Sequence, residues 1–188
     1  NKKYPAAFFD RDGVLNYDYG YVYKFKEFNW MKGSLSTLKF LTKKNLSMFC
    51  LGSAGEGMNL PFKTRIEFAL NFLENVSNKQ PVLMGAGGFG VKDCLNFIQE
   101  LEPKKTFGIH VIPYDSKLSD NGLEFFYSSL ADKSPIPIWL YQNTTRHRGI
   151  PLKLAGKLSK HPNIHGMKLA GFDLRLNQRF IKLDSPEF

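Results

Sequence analysis

Short apolar runs alternate along this chain with longer stretches in which apolar positions recur every third or fourth residue. Residues 6–9 (Ala6, Ala7, Phe8, Phe9) form a run that ends at Asp10, the pattern of a buried strand. Leu35, Leu38, Phe40 and Leu41 follow the Gly33-Ser34 start signal at helical spacing. Residues 46–51 read as a second strand, ended by Gly52. Phe62, Ile66, Ala69, Leu70, Phe72, Leu73 and Val76 mark one face of an amphipathic helix over 62–76. Residues 81–84 form a third strand, followed by the loop Gly85-Ala86-Gly87-Gly88. Beyond it the pattern predicts a helix over 91–101, a strand over 107–112 closed by Pro113, and a helix over 122–130. A strand over 137–141, a helix over 151–158, a strand over 164–168 and a helix over 174–183 complete it. Strict strand–helix alternation predicts an α/β fold of about six parallel strands, with polar and Gly-rich strand ends where such folds place ligands.

Composition narrows this picture only a little. The chain has 188 residues, 43% of them hydrophobic, which suits a packed globular protein and excludes disorder. It is shorter than a complete (β/α)₈ barrel, which takes ~250 residues. Lys+Arg 26 against Asp+Glu 17 gives a net charge of +9, but the cations are scattered and no nucleic-acid motif accompanies them. They read as a solvated surface with a mild pull on anionic substrates, so no nucleic-acid partner is expected. Cys50 and Cys94 each lie in an apolar stretch and read as buried thiols rather than a disulfide. No signal peptide and no apolar run of ~18 residues is visible, which predicts a cytoplasmic protein without a membrane span. The chain starts with Asn rather than Met, which points to a trimmed or partial reading frame.

Two motif sets carry chemistry. The first is Phe8-Phe9-Asp10-Arg11-Asp12-Gly13-Val14-Leu15-Asn16. Two carboxylates two residues apart, just past a strand, can divide phosphoryl chemistry between a nucleophile and an acid that protonates the leaving oxygen. Both would face a Mg²⁺ ion that neutralises phosphate charge, and Gly13 permits the chain reversal. This segment resembles the first motif of the haloacid-dehalogenase (HAD) phosphatases. Its continuation Asn16-Tyr17-Asp18-Tyr19-Gly20-Tyr21-Val22 is similar to the heptose-bisphosphate and histidinol-phosphate phosphatase branch. The resemblance implies Asp10 as nucleophile, Asp12 as acid/base, and both as Mg²⁺ ligands. It covers residues 1–45. The acidic pair and phosphate-holding Lys that such an enzyme uses later in the chain have no counterpart, and Asp173 stands alone in its segment.

The second set begins at Leu51-Gly52-Ser53-Ala54-Gly55-Glu56, a Gly-rich turn after a strand that presents N–H groups and a hydroxyl to an anion. It resembles the G-S/T-T-G-E carboxylate-binding loop of the dihydrodipicolinate synthase and N-acetylneuraminate lyase family. Residues 81–88, Val111-Ile112-Pro113-Tyr114, Pro137-Ile138-Trp139-Leu140-Tyr141-Gln142-Asn143 and His161-Pro162-Asn163-Ile164-His165-Gly166-Met167-Lys168 resemble further segments of that family, in order. The resemblance runs over residues 46–188 and implies class I aldolase chemistry without a cofactor. A strand-end lysine condenses with the ketone of pyruvate, or another 2-oxo acid, to a Schiff base that serves as electron sink. The amine must be neutral to attack, so its site must be apolar, and Lys168 sits among Ile164, Met167, Leu169 and Ala170.

By the same resemblance Tyr141 shuttles the proton, Ser53 is the catalytic hydroxyl of the loop, and Ser53, Ala54 and Gly55 receive the pyruvate carboxylate. Arg146 falls where synthase members bind the second substrate's carboxylate. Several positions depart from the pattern: Asp115 replaces the second Tyr of P-Y-Y, breaking the family's Thr–Tyr–Tyr relay at one member. Ala54 replaces a hydroxyl residue, Gln142 replaces Asn, Thr144 replaces Pro, and Leu169 follows the lysine in place of a polar residue.

Together these features predict an incomplete TIM-barrel-like sheet of about six parallel strands whose first βα unit is HAD-like, with domains 1–45 and 46–188. Exposed sheet edges would favour self-association. Three functions stay open: a pyruvate-dependent lyase acting through Lys168, a Mg²⁺-dependent phosphatase acting through Asp10 and Asp12, and a catalytically inactive hybrid or fragment.

Overall fold

A computed structural model of the chain describes residues 6–8, 15, 17, 25–27, 29–43, 47–53, 57–76, 82–144, 148–170 and 173–183. Strand and helix alternate as β1 (Ala6–Phe8), α1 (Ser34–Lys43), β2 (Ser47–Cys50), α2 (Phe62–Asn75), β3 (Val82–Gly85), α3 (Val91–Gln99), β4 (Thr106–His110), α4 (Asp120–Lys133), β5 (Ile138–Gln142), α5 (Leu152–Leu158), β6 (Ile164–Leu169) and α6 (Leu174–Ile181). Short 3₁₀ turns occupy Phe25–Glu27 and Gly57–Asn59. The chain forms two compact units, Asn1–Ala86 with Gln99–Phe107, and Gly87–Ile98 with Gly108–Phe188. Residues 1–45 fall wholly within the first. No helix among the described residues is long and apolar enough to cross a membrane.

In the first unit β2 pairs with β1 and with β3, both in parallel, with Phe49 opposite Phe8 on one side and Leu83 on the other. Consecutive parallel strands need a crossover, and a helix separates each pair. All four residues of β3 are buried, the mark of a strand covered on both faces. Helix α2 buries Phe68, Ala69, Phe72 and Leu73 on one face. Its Arg65 is buried too and donates to the Met58 carbonyl at 3.1 Å, which ties the preceding 3₁₀ turn to the helix. Cys50 and Cys94 are free and buried, as their apolar surroundings predict. Burial holds the Cys50 thiol well above the usual thiol range.

The second unit contains the parallel pairs β4–β5, with Ile109 opposite Ile138, and β5–β6, with Tyr141 opposite Lys168. Helix α4 starts at Asp120, two residues earlier than the apolar periodicity suggests. The reason is its cap: the Ser119 hydroxyl accepts the Gly122 N–H at 3.2 Å, and Asp120 places negative charge in the first turn. Its last carbonyls are also held. The Asn163 side-chain amide donates to the Ala131 carbonyl at 2.8 Å and to the Ser134 carbonyl at 2.9 Å. His161 reaches Asp132 at 3.0 Å through Nε2, and its Nδ1 accepts the Asn163 N–H at 3.1 Å. The His161-Pro162-Asn163 run is therefore a clamp between the end of α4 and the start of β6. Asp173, solitary in the sequence, caps α6 by accepting the Leu176 N–H at 2.9 Å.

Because one amide satisfies two helix-terminal carbonyls, Asn163→Ala should lower stability by about 2 kcal/mol. A urea unfolding curve with an unchanged midpoint would show that the clamp contributes nothing.

Candidate functional site

Tyr141 and Lys168 are register partners on adjacent parallel strands, so their side chains leave the same face side by side. The Lys168 Nζ lies 5.2 Å from the centroid of the Tyr141 ring, within reach of the negative face of the π system. Lys168 is half-buried, whereas Tyr141 is 2% exposed. Burial draws the Lys168 amine below the ordinary lysine value of 10.5, and the neighbouring Tyr141 works in the opposite direction without offsetting it. An amine relieved of its proton is a nucleophile; an ammonium is not.

Tyr141 is fixed from two further sides. The Asn143 side-chain amide donates to the phenol oxygen at 2.5 Å. The His110 ring, at the end of β4, meets the Tyr141 ring edge to face, with centroids 4.7 Å apart at 75°. Neither Asn143 nor His110 stands out in the sequence as a site residue. The available signals are modest: Asn143 shares a strand face with Tyr141 by the two-residue period, and His110 is a polar residue at a strand end.

The loop from β5 to α5 is anchored through Gln142. Its backbone carbonyl accepts the Ala170 N–H at 2.8 Å, and its side-chain Oε1 accepts the Ile150 N–H at 2.6 Å. Gly149 closes the loop with φ of 82°, and a Cβ there would come within 2.9 Å of the Gln142 amide. Gln142, a departure from the family pattern, is thus a structural tie built into this chain. Arg148 donates its backbone N–H to the Ser116 carbonyl, and its guanidinium pairs with Asp120. Thr144 is exposed and Leu169 half-buried. Asp115 is exposed as well, and its carboxylate accepts the Lys117 N–H at 2.8 Å within its own turn. Arg146 lies outside the described residues.

Ser53 belongs to the first unit, in the turn that follows β2, where it is half-buried. The turn opens with Leu51 in the left-handed region, φ 58°, a conformation that costs a non-glycine residue about 1 kcal/mol. Glycines wall it in. A Cβ on Gly57 would come within 2.5 Å of the Leu51 carbonyl oxygen, and one on Gly85 would come closer still. The Gly57 N–H also bonds the Gly52 carbonyl at 3.1 Å. The glycines here therefore have a packing cause, namely a kinked Leu51 backbone pressed between two residues without side chains. Ala54 and Gly55 lie outside the described residues, as do Asp10 and Asp12. Among the described residues no group of three or more His, Cys, Asp or Glu side chains could hold a metal ion.

The model of the Dihydrodipicolinate synthetase family matches residues 36–188. The chain belongs to that family. A 4-hydroxy-tetrahydrodipicolinate synthase from Methanosphaerula palustris is 33% identical over 141 residues, which cover 73% of this chain and 48% of the relative. The synthase from Methanospirillum hungatei is 32% identical over 72% of this chain and 47% of its own length. The chain spans about half the length of the curated relatives it matches. Among solved structures, YagE of E. coli K12, a prophage protein of the dihydrodipicolinic acid synthase family crystallised with pyruvate, superposes with a TM-score of 0.78 at 23% identity. That match covers 95% of this chain and 59% of YagE. The sialic acid aldolase of Ruminococcus gnavus gives a TM-score of 0.76 at 20% identity, covering 99% of this chain and 60% of the aldolase.

At these identities the structures show the fold alone, the parallel α/β architecture of TIM-barrel enzymes. That fold extends over nearly the whole chain, the first βα unit included. The family match starts ten residues before the boundary at 46 that the sequence motifs suggest. The comparisons give the HAD likeness of residues 1–45 no support.

The lowered Lys168 value has a consequence for stability. Between the folded value and 10.5 the unfolded chain binds the extra proton, so stability rises with pH across that window. Lys168→Met should therefore raise the urea midpoint at pH 7, with the gap to wild type closing as pH approaches the ordinary lysine value. A gap independent of pH would mean that the amine is not strained by burial.

Proposed function

We propose that this chain carries a class I lyase site for pyruvate or another 2-oxo acid, with Lys168 as the Schiff-base lysine. The observation that carries this reading is the pairing of a burial-weakened amine with a buried phenol on adjacent strand ends. The membership of the family supports it, and so does the pyruvate bound to YagE.

In this reading the neutral Lys168 Nζ attacks the ketone carbon, forming a C–N bond while the carbonyl oxygen takes up a proton. The resulting carbinolamine expels that oxygen as water and becomes an imine. Tyr141 carries protons to and from the reacting atoms, a role that typically contributes ~10²–10⁴-fold. The imine withdraws electrons from the adjacent carbon, so the C–H or C–C bond there can break or form. The electron sink is covalent, and the step as written needs no metal. By the family resemblance, Ser53, Ala54 and Gly55 are the candidates for binding the substrate carboxylate, and Arg146 for that of a second substrate. Residues 46–188 carry this aldolase part. The phosphatase reading of Asp10 and Asp12 rests on the sequence motif alone, and the comparisons give that likeness no support.

Incubation with pyruvate followed by borohydride should add the mass of one reduced pyruvate to the chain, and Lys168→Ala should abolish the gain while retaining wild-type circular dichroism. Tyr141→Phe should slow adduct formation by about 10²-fold. No gain in the wild-type chain, or a gain that survives Lys168→Ala, contradicts the proposal and favours an inactive chain.

A further inference from the structure

We propose that Asn143 is the residue that positions Tyr141 for proton transfer, an inference that rests on the lyase reading above. The side-chain amide donates to the phenol oxygen at 2.5 Å, and both residues are buried, Asn143 at 8% exposure and Tyr141 at 2%. A hydrogen bond in such a place is shielded from competing water and strongly orienting.

The direction of the bond matters. Because the phenol oxygen accepts from Asn143, its own hydrogen must point elsewhere, which keeps the phenol a donor to a third group. An amide N–H aimed at that oxygen also stabilises the negative charge that develops on it as the proton leaves. A carboxylate in the same place would do the reverse: it would capture the phenol hydrogen and repel developing charge.

The surroundings hold Asn143 in register. It lies two residues beyond Tyr141, just past the end of β5. Between them Gln142 is locked twice, by the Ala170 N–H on its backbone carbonyl and by the Ile150 N–H on its side chain. These bonds fix the backbone from which the Asn143 side chain projects. The Tyr141 ring also packs against His110, with ring centroids 4.7 Å apart. In sequence, Gln142-Asn143-Thr144 stands where the family pattern has Asn-x-Pro, with Asn143 at its variable position.

The test uses the full chain and two variants, Asn143→Asp, which keeps the size and reverses the bonding, and Asn143→Val, which removes it. Two readouts are taken. One is the rate of borohydride-trapped adduct formation as a function of pyruvate. The other is the ¹³Cζ resonance of Tyr141, identified among the eight tyrosines as the signal lost in Tyr141→Phe. Both variants should form the adduct on the order of tenfold more slowly at saturating pyruvate, with the half-saturating concentration unchanged. Both should also shift the Tyr141 resonance. A wild-type rate in Asn143→Asp would show that the side chain only fills space and would overturn the proposal. An unmoved resonance in both variants would overturn it as well, because the hydrogen bond would then not exist in solution. A wild-type chain that forms no adduct would bring down the lyase reading and the positioning role together, whereas normal wild-type trapping with an indifferent Asn143→Asp brings down the positioning role alone.

Discussion

Taking a lysine amine out of water is unfavourable in its charged form, and at Lys168 this effect of burial outweighs the opposing effect of Tyr141. A carboxylate beside it would restore the proton. The register of β5 and β6 places the Tyr141 ring beside it, a neighbour whose effect on the amine is smaller than that of burial. Half-burial then keeps the amine below its ordinary range while leaving it open to a small molecule. Chemistry at the amine, the demand on strand register and the value of a buried phenol all follow from this one desolvation.

The register is not left to the strands. Where β6 begins, Asn163 and His161 hold it to the end of α4. Where β6 ends, the Ala170 N–H is bonded to Gln142 at the end of β5. Lys168 lies between these two fixed points, so its side chain emerges at one place on the face it shares with Tyr141. Gln142 then passes the constraint on through Ile150, which returns the loop to the body of the second unit. In the first unit strain takes over the part played here by hydrogen bonds. Leu51 accepts an unfavourable backbone conformation, and Gly57 and Gly85 make room for it. A sharp turn at a strand end is the price of placing Ser53 beyond β2.

Much of this was legible in the chain itself. The alternation of apolar runs and amphipathic stretches marks every strand and helix named above, because buried parallel strands are apolar on both faces and surface helices on one. The ends of elements were read less well. Helix α4 begins where Ser119 caps it, a matter of hydrogen bonding that apolar periodicity does not register. The His161-Pro162-Asn163 segment is readable as a family signature, yet its physical work, capping a distant helix, depends on a contact thirty-odd residues away in sequence. Leu51 offers no signal at all, since a leucine in the left-handed region is defined by its neighbours in space. Asn143 and His110 give little signal for a similar reason: a residue that packs on or bonds another functional group has no chemistry of its own to announce. The likeness of residues 1–45 to a phosphatase rests on a short motif dense in carboxylates, and the comparisons give it no support.

The most direct test of this account is the titration of Lys168 in the folded chain. With ¹³C-labelled lysine methylated reductively on nitrogen, the Lys168 resonance can be identified by its loss in Lys168→Met and followed against pH. The account predicts a midpoint below 10.5, moving toward that value in urea as water returns to the amine. A midpoint at or above 10.5 in the folded protein would contradict it, because Lys168 would then be an ordinary surface ammonium and the phenol beside it a matter of packing alone.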